Sequence, residues 1–312
     1  MNNYNLQYLD YYLPETILSV KDLVDLVDQH VIPPVFETKA DYLMFTKDIL
    51  EQENVLIEAQ LSEVEMLNGL LTKLFSESEI KPAEIDLIVT CQEGNQNTSE
   101  SFVKCLQHEH KMTNANVMNL SGNHCANVPV IWDFINSIQS SMLNILIVAA
   151  NKTANPNDRI LGAYGILSDG VGIALLSGKP GVCSIKNQVK LSNGSLYKVD
   201  MNKDNSLLHY KYMTAGVKRL MENSGIAVGS LACVIPQNAN ILLLSKVAMG
   251  MGIDTRKIFS QNISRSGHVD SVDFIINLKD ILDEGKLKSG DTMLALNMGW
   301  AGSYVSSLIT VN

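Results

Sequence analysis

The chain has 312 residues, which fits two domains or one large domain made of two halves. Apolar residues make up 46% and charged residues 18%, enough apolar material for a large core and too little charge for a disordered chain. Lys and Arg number 24 against 33 Asp and Glu, a net charge of 24 − 33 = −9, which excludes a general nucleic-acid binder because no basic surplus can displace phosphate counterions.

The first ten residues are polar and lack a basic stretch followed by an apolar one, so no signal peptide is expected. No apolar run approaches the roughly 20 residues needed to cross a bilayer. A cytoplasmic protein without membrane contact is the expectation. Alternating strands and helices follow. Residues 48–75 carry Ile49, Val55, Leu56, Ala59, Leu61, Val64, Leu67, Leu70, Leu71 and Leu74 at a mostly helical period, predicting one long helix. EIDLIVT at 84–90 and NILIVAA at 144–150 are short, apolar and β-rich, as buried strands are. Between them, 128–138 places Val128, Ile131, Phe134, Ile135 and Ile138 on one helical face. Further helices are expected at 208–223, 240–251 and 272–284, with strands at 232–235 and 292–296. The pattern predicts an α/β fold. A weak repeat of helix, polar connection, strand, helix, strand divides the chain into pseudo-repeated halves, 1–178 and 179–312.

Five cysteines (Cys91, Cys105, Cys125, Cys183 and Cys233) and six histidines are few enough to weigh singly. An odd cysteine count without CxxC spacing argues against a disulfide framework or a structural zinc site, and no metal is expected. Within NLSGNHCANVP, Cys125 stands directly before the helix at 128–138. Unpaired N–H groups and the helix dipole there would lower a thiol pKa and favour the nucleophilic thiolate. Packing as a small buried hydrophobe is the plain alternative. In VIPQNAN, Gln237 and Asn240 lie between a strand and a helix, where α/β proteins build sites; simple helix capping is the alternative for the asparagines. In RSGHVD, His268 sits in a turn before a helix, as a base or donor or as a surface residue near a cap. LSDGVGIA and NMGWAG are Gly-rich but fit no phosphate-binding pattern, which leaves tight chain reversal as their default role.

Taken in order, these stretches resemble the thiolase superfamily, and most closely its β-ketoacyl-acyl-carrier-protein synthase III branch. YYLPETILSVKDLVD resembles that family's opening strand and helix. LIVAANKTANPNDRILGAYGILSDGVGIALLS resembles the strand, loop and Asp-Gly-X-Gly hairpin that close its first half. VIPQNANILLLSKVAMGMGIDTRKIF and NISRSGHVDSVDF resemble its Pro-His-Gln-Ala-Asn and Gly-Asn-Thr-Ser stretches. The resemblance implies a layered αβαβα thiolase-like fold and an acyltransferase with a coenzyme A or phosphopantetheine thioester as substrate and no separate cofactor. It implies Cys125 as the acyl-accepting nucleophile. The backbone N–H groups of Cys125 and Gly299 would form the oxyanion hole, with Trp300 and Asn240 near the substrate. Gln237 stands where the family has its His, and His268 where it has its Asn. Two hydrogen-bond donors toward an enolate remain, but the basic group has moved. Decarboxylative condensation is therefore placed in doubt, while acylation of Cys125 is not.

Other departures are the polar Ser99 and Glu100 in Ser99-Glu100-Ser101, where Phe-Pro-Ser is usual, and Leu242 where an Arg that docks donor phosphates is usual. A local basic patch from Lys211, Lys246, Arg256 and Lys257 would be needed to dock an acidic carrier protein. The resemblance also implies a homodimer through a strand at 116–120, with a heteromer open. The expectation is an acyltransferase of fatty-acid or specialised-metabolite biosynthesis, condensing or acylating oxygen, nitrogen or sulfur. The alternatives are a catalytically degenerate subunit of a heteromeric complex and a hydrolase with water as acceptor.

Overall fold

The structure is a computed structural model describing residues 4–91, 102–138, 144–196, 205–299 and 301–312. In chain order the elements begin with strands β1 (Asn5–Tyr12) and β2 (Ile17–Ser19), then helices α1 (Val20–Leu26) and α2 (Lys39–Asp48). They continue through β3 (Asn54–Leu56), α3 (Glu63–Glu77), β4 (Leu87–Thr90), α4 (Phe102–Glu109), β5 (Asn116–Asn119) and α5 (Asn127–Ser137). Next are β6 (Asn144–Asn151), β7 (Gly170–Ser177), β8 (Cys183–Ser192), α6 (Ser206–Ser224), β9 (Cys233–Ile235) and α7 (Ile241–Gly250). The chain closes with α8 (Gln261–Ser266), α9 (Val272–Asp283), β10 (Thr292–Gly299) and β11 (Ser303–Val311).

Nine strands run in the order β5-β4-β6-β7-β1-β8-β11-β10-β9. The first five come from residues up to 177 and the other four from residue 183 onward. A single pair, Leu6 and Cys183, joins the two groups in register. Alternate strand residues point to opposite faces. Leu87 and Val89 therefore join one core with α5 and α9, while Ile88 packs with α3 and α4. Ile235, Met293 and Ala295 meet the same α5–α9 layer from the other strand group, and Val234, Leu294 and Leu296 pack with α6 and α7. The result is five layers, αβαβα, with α5 and α9 in the middle. Both faces of every central strand are covered, which is why their sequences are apolar runs rather than alternations. Among the described residues, no helix is long and apolar enough to cross a membrane.

The expected helix at 48–75 is three elements: α2 ends at Asp48, β3 follows, and α3 starts at Glu63. Glu51 adopts φ +56°, which breaks the helix, and β3 pairs antiparallel with β2. Ser62 then opens α3 with a capping box, its side chain accepting from Glu65 N while the Glu65 carboxylate accepts from Ser62 N. Local hydrogen bonding at the break outweighs the apolar period that runs across it. The glycines of LSDGVGIA also have a different role. Gly170 and Gly172 lie inside β7, and a Cβ on Gly172 would sit 2.9 Å from Ile275 Cγ2, so Gly172 lets α9 approach the sheet.

Candidate active site

Cys125 lies in a 3-10 turn, His124–Ala126, that runs straight into α5. The backbone before it is unusual. Gly122 adopts φ +95° and His124 φ +47°, a left-handed conformation that a non-glycine residue adopts at a cost. The side chain of Asn127 holds this turn, accepting from Asn123 N at 3.1 Å and donating to the Cys91 carbonyl at 3.2 Å. The thiol is buried beneath it.

His268 is buried too, against the expectation that allowed a surface position. It is clamped into the first half of the chain: its carbonyl accepts from Ser168 N at 2.7 Å. Its Nε2 lies 3.2 Å from Cys125 Sγ and its Nδ1 2.5 Å from Asp273 Oδ2. Asp273, on the first turn of α9, is wholly enclosed. Its carboxylate also accepts from Val269 N and Asn238 N, both at 2.7 Å. A carboxylate can only accept from the imidazole, so in the neutral ring Nδ1 carries the proton and Nε2 is the acceptor facing the thiol. The three side chains form a Cys–His–Asp relay. Asp273 is the member of this cluster that reading the sequence missed. Its signal was present: an acid five residues after a candidate His, at the start of a helix that returns toward it.

The electrostatics correct the helix-dipole expectation. Burial pushes the Cys125 thiol well above its ordinary value, and the charges of Asp270 and Asp273 push it the same way. On His268, burial lowers the imidazole pKa, but the charge and hydrogen bond of Asp273, with Asp270, outweigh it and leave it raised. The resting thiol is therefore protonated, and the thiolate forms only as its proton moves to a neutral His268. Asp270 stands beside this pair with φ +52° and a buried Oδ1 that has no hydrogen-bond partner. Burial, the largest influence, raises its own pKa, against the lowering effect of His268 and His124.

The side-chain carbonyl of Gln237 accepts from Met298 N at 3.0 Å, which leaves its NH₂ as a donor. Gln237 and His268 line one small cavity of about 20 Å³ together with Tyr164, His209 and Met298. Gly299 ends β10 against the turn that carries Cys125, where a Cβ would collide with the Asn123 carbonyl oxygen. Asn240 does what a cap does: its side chain accepts from Leu243 N and donates to the Ala163 carbonyl. It also lines an outer groove of about 650 Å³ with Leu207, Tyr210, Leu242, Leu243 and Lys246. Trp300 and the Ser99–Glu100–Ser101 stretch lie outside the described residues. Of the four expected basic residues, Lys246 borders the groove, Arg256 is paired with Asp254, and Lys257 donates to the Gly229 and Leu231 carbonyls. Among the described residues, no group of three or more His, Cys, Asp or Glu side chains could hold a metal ion.

Comparison with known proteins agrees with the fold. Residues 221–311 match the family described as 3-oxoacyl-[acyl-carrier-protein] synthase III C terminal. The β-ketoacyl-[acyl-carrier-protein] synthase III of Aquifex aeolicus is 22% identical over 302 residues, covering 92% of this chain and 93% of its own. The crystal structure of the Aquifex aeolicus VF5 synthase III superimposes with a TM-score of 0.80 at 20% identity, covering 98% of this chain and 99% of that one. ChlB3, described as an acyltransferase, superimposes with a TM-score of 0.81 at 15% identity, covering 99% of this chain and 98% of that one. In the order of its layers, in the sequence of its C-terminal part and along nearly its whole length, the chain resembles the β-ketoacyl-acyl-carrier-protein synthase III proteins and shares their fold.

Proposed function

We propose that the protein is an acyltransferase that loads an acyl group onto Cys125 from a coenzyme A or carrier-protein thioester and passes it to a second substrate. The observation that carries this reading is the buried relay Cys125–His268–Asp273. In the loading step His268 Nε2 takes the thiol proton while sulfur attacks the thioester carbonyl. The backbone N–H groups of Cys125 and Gly299 hold the oxyanion. Collapse breaks the donor's C–S bond, and the departing thiolate takes the proton from His268. In transfer, His268 accepts the acceptor's proton as its oxygen, nitrogen or sulfur attacks the acyl carbon. The C–S bond to Cys125 breaks, and the proton returns to the Cys125 sulfur.

The same site argues for transfer over decarboxylative condensation. A malonyl donor would bring a third carboxylate to a thiol that already has Asp270 and Asp273 beside it. A scaffold subunit has no use for a thiol–imidazole–carboxylate relay, which favours the active enzyme over the degenerate one. The reading includes a soluble cytoplasmic setting, a homodimer through β5, and two halves, 1–178 and 179–312, that share one site.

The test is the intact-protein mass after exposure to coenzyme A thioesters from acetyl to octanoyl. An added acyl mass that disappears in Cys125→Ala is the expected result. A folded protein that takes no acyl group from any of them sinks the proposal.

A further inference from the structure

A second polar chain borders the cavity, and the relay does not use it. His209, on α6, is buried with both ring nitrogens engaged by tyrosine hydroxyls. Nε2 is 2.8 Å from Tyr164 Oη, and Nδ1 is 2.8 Å from Tyr304 Oη. Tyr304 is buried and stacked on Tyr212, with ring centroids 4.9 Å apart and 19° between planes, so the far end is fixed. A neutral imidazole has one donor and one acceptor, so one tyrosine donates to His209 and the other accepts from it. Exchange of the tautomer and both hydroxyl rotors reverses the polarity at Tyr164 without moving net charge.

Tyr164 and His209 face the same cavity as Gln237 and His268. At about 20 Å³, that space holds one water-sized group. We infer that the cavity seats the nucleophilic group of a protic acceptor, an alcohol or amine, and that Tyr164, braced by His209 and Tyr304, is a positioning residue for it. This rests on the acyl-transfer reading. His268 takes the acceptor's proton, as the balance above requires. Tyr164 supplies a second hydrogen bond whose sense adapts to an O–H or an N–H, so that the lone pair points at the acyl carbon. A carbanion has neither group to offer it.

The experiment separates the two half-reactions on the full-length protein. Acyl-Cys125 is formed with an acyl-coenzyme A, the excess is removed, and discharge by ethanolamine is followed by mass. In Tyr164→Phe, ethanolamine-dependent discharge should fall about five- to tenfold while loading stays within about twofold. His209→Gln, which removes the brace and leaves the Tyr164 hydroxyl, should move discharge in the same direction, and it carries the test if Tyr164→Phe does not fold. Unchanged ethanolamine discharge in both variants overturns the inference. So does an equal loss in both half-reactions, which marks a structural role, and so does a loss confined to hydrolysis, which makes water the occupant. Failure of the wild type to load removes the acyl-transfer reading and this one with it; normal loading with Tyr164-independent discharge removes this one alone.

Discussion

At the scale of single residues, the site depends on one carboxylate setting the state of one imidazole. Acyl loading needs His268 neutral. Because Asp273 holds its pKa above the usual imidazole value, loading should rise with pH through a midpoint above that value. Asp273→Asn removes the group that raises it and leaves burial, which lowers it, so the midpoint should move down. The same change frees the ring to turn and to take the wrong tautomer, so the plateau rate should fall by about a hundredfold or more. Single-turnover acylation against pH reads both. An unmoved midpoint would mean that Asp273 does not set the charge of His268. The residues of this site were unevenly legible. Cys125 could be read from its place before a helix, and Gln237 and His268 from their order along the chain. Asp273 left a signal in its place five residues after His268, but the Tyr164–His209–Tyr304 chain left none, because its contacts join residues far apart in sequence.

Secondary-structure elements divide in the same way. The central strands β4, β6 and β10 and the helices α5, α6, α7 and α9 were readable because each is buried on a fixed face or on all faces, so period and apolarity report them directly. The break between α2 and α3 was not, since an apolar period crosses it and capping decides it. Strand β7 was hidden by its own glycines. They look like turn residues but serve close packing: a Cβ on Gly172 would stand 2.9 Å from Ile275 Cγ2 and 3.1 Å from Val272 Cγ1. Gly172→Ala should therefore destabilise by about 1–3 kcal/mol, as overpacking does. Denaturant unfolding measures it, and a neutral result would mean that α9 can withdraw from the sheet without cost. Since α9 carries Asp273, loading should slow in the same variant.

Across the whole molecule, a small lobe of α1, α2, β2 and β3 is fastened to the sheet by buried polar contacts. Asp169 is the main one. Its carboxylate pairs with Arg159 at 2.9 Å and accepts from Glu58 N at 2.8 Å and Thr153 N at 2.9 Å. Next to it, Ser168 binds β3 through its side chain and the His268 carbonyl through its backbone N–H. Asp169→Asn leaves the buried Arg159 guanidinium without its counter-charge, which costs about 3–5 kcal/mol. Equilibrium unfolding and acyl loading should both register the loss. Loss of stability with loading unaltered would separate the lobe from the site.

The left-handed His124 carries a consequence of another kind. Its conformation costs about 1–2 kcal/mol, and glycine there would relieve that while adding roughly 0.5–1 kcal/mol of chain entropy to be lost on folding. The two nearly cancel. A variant library sorted for thermal resistance would therefore pass over position 124, whereas one sorted for turnover would register it, because glycine there loosens the backbone of the turn that carries Cys125. The same bend that is almost neutral to the fold is, for the reaction, under direct selection.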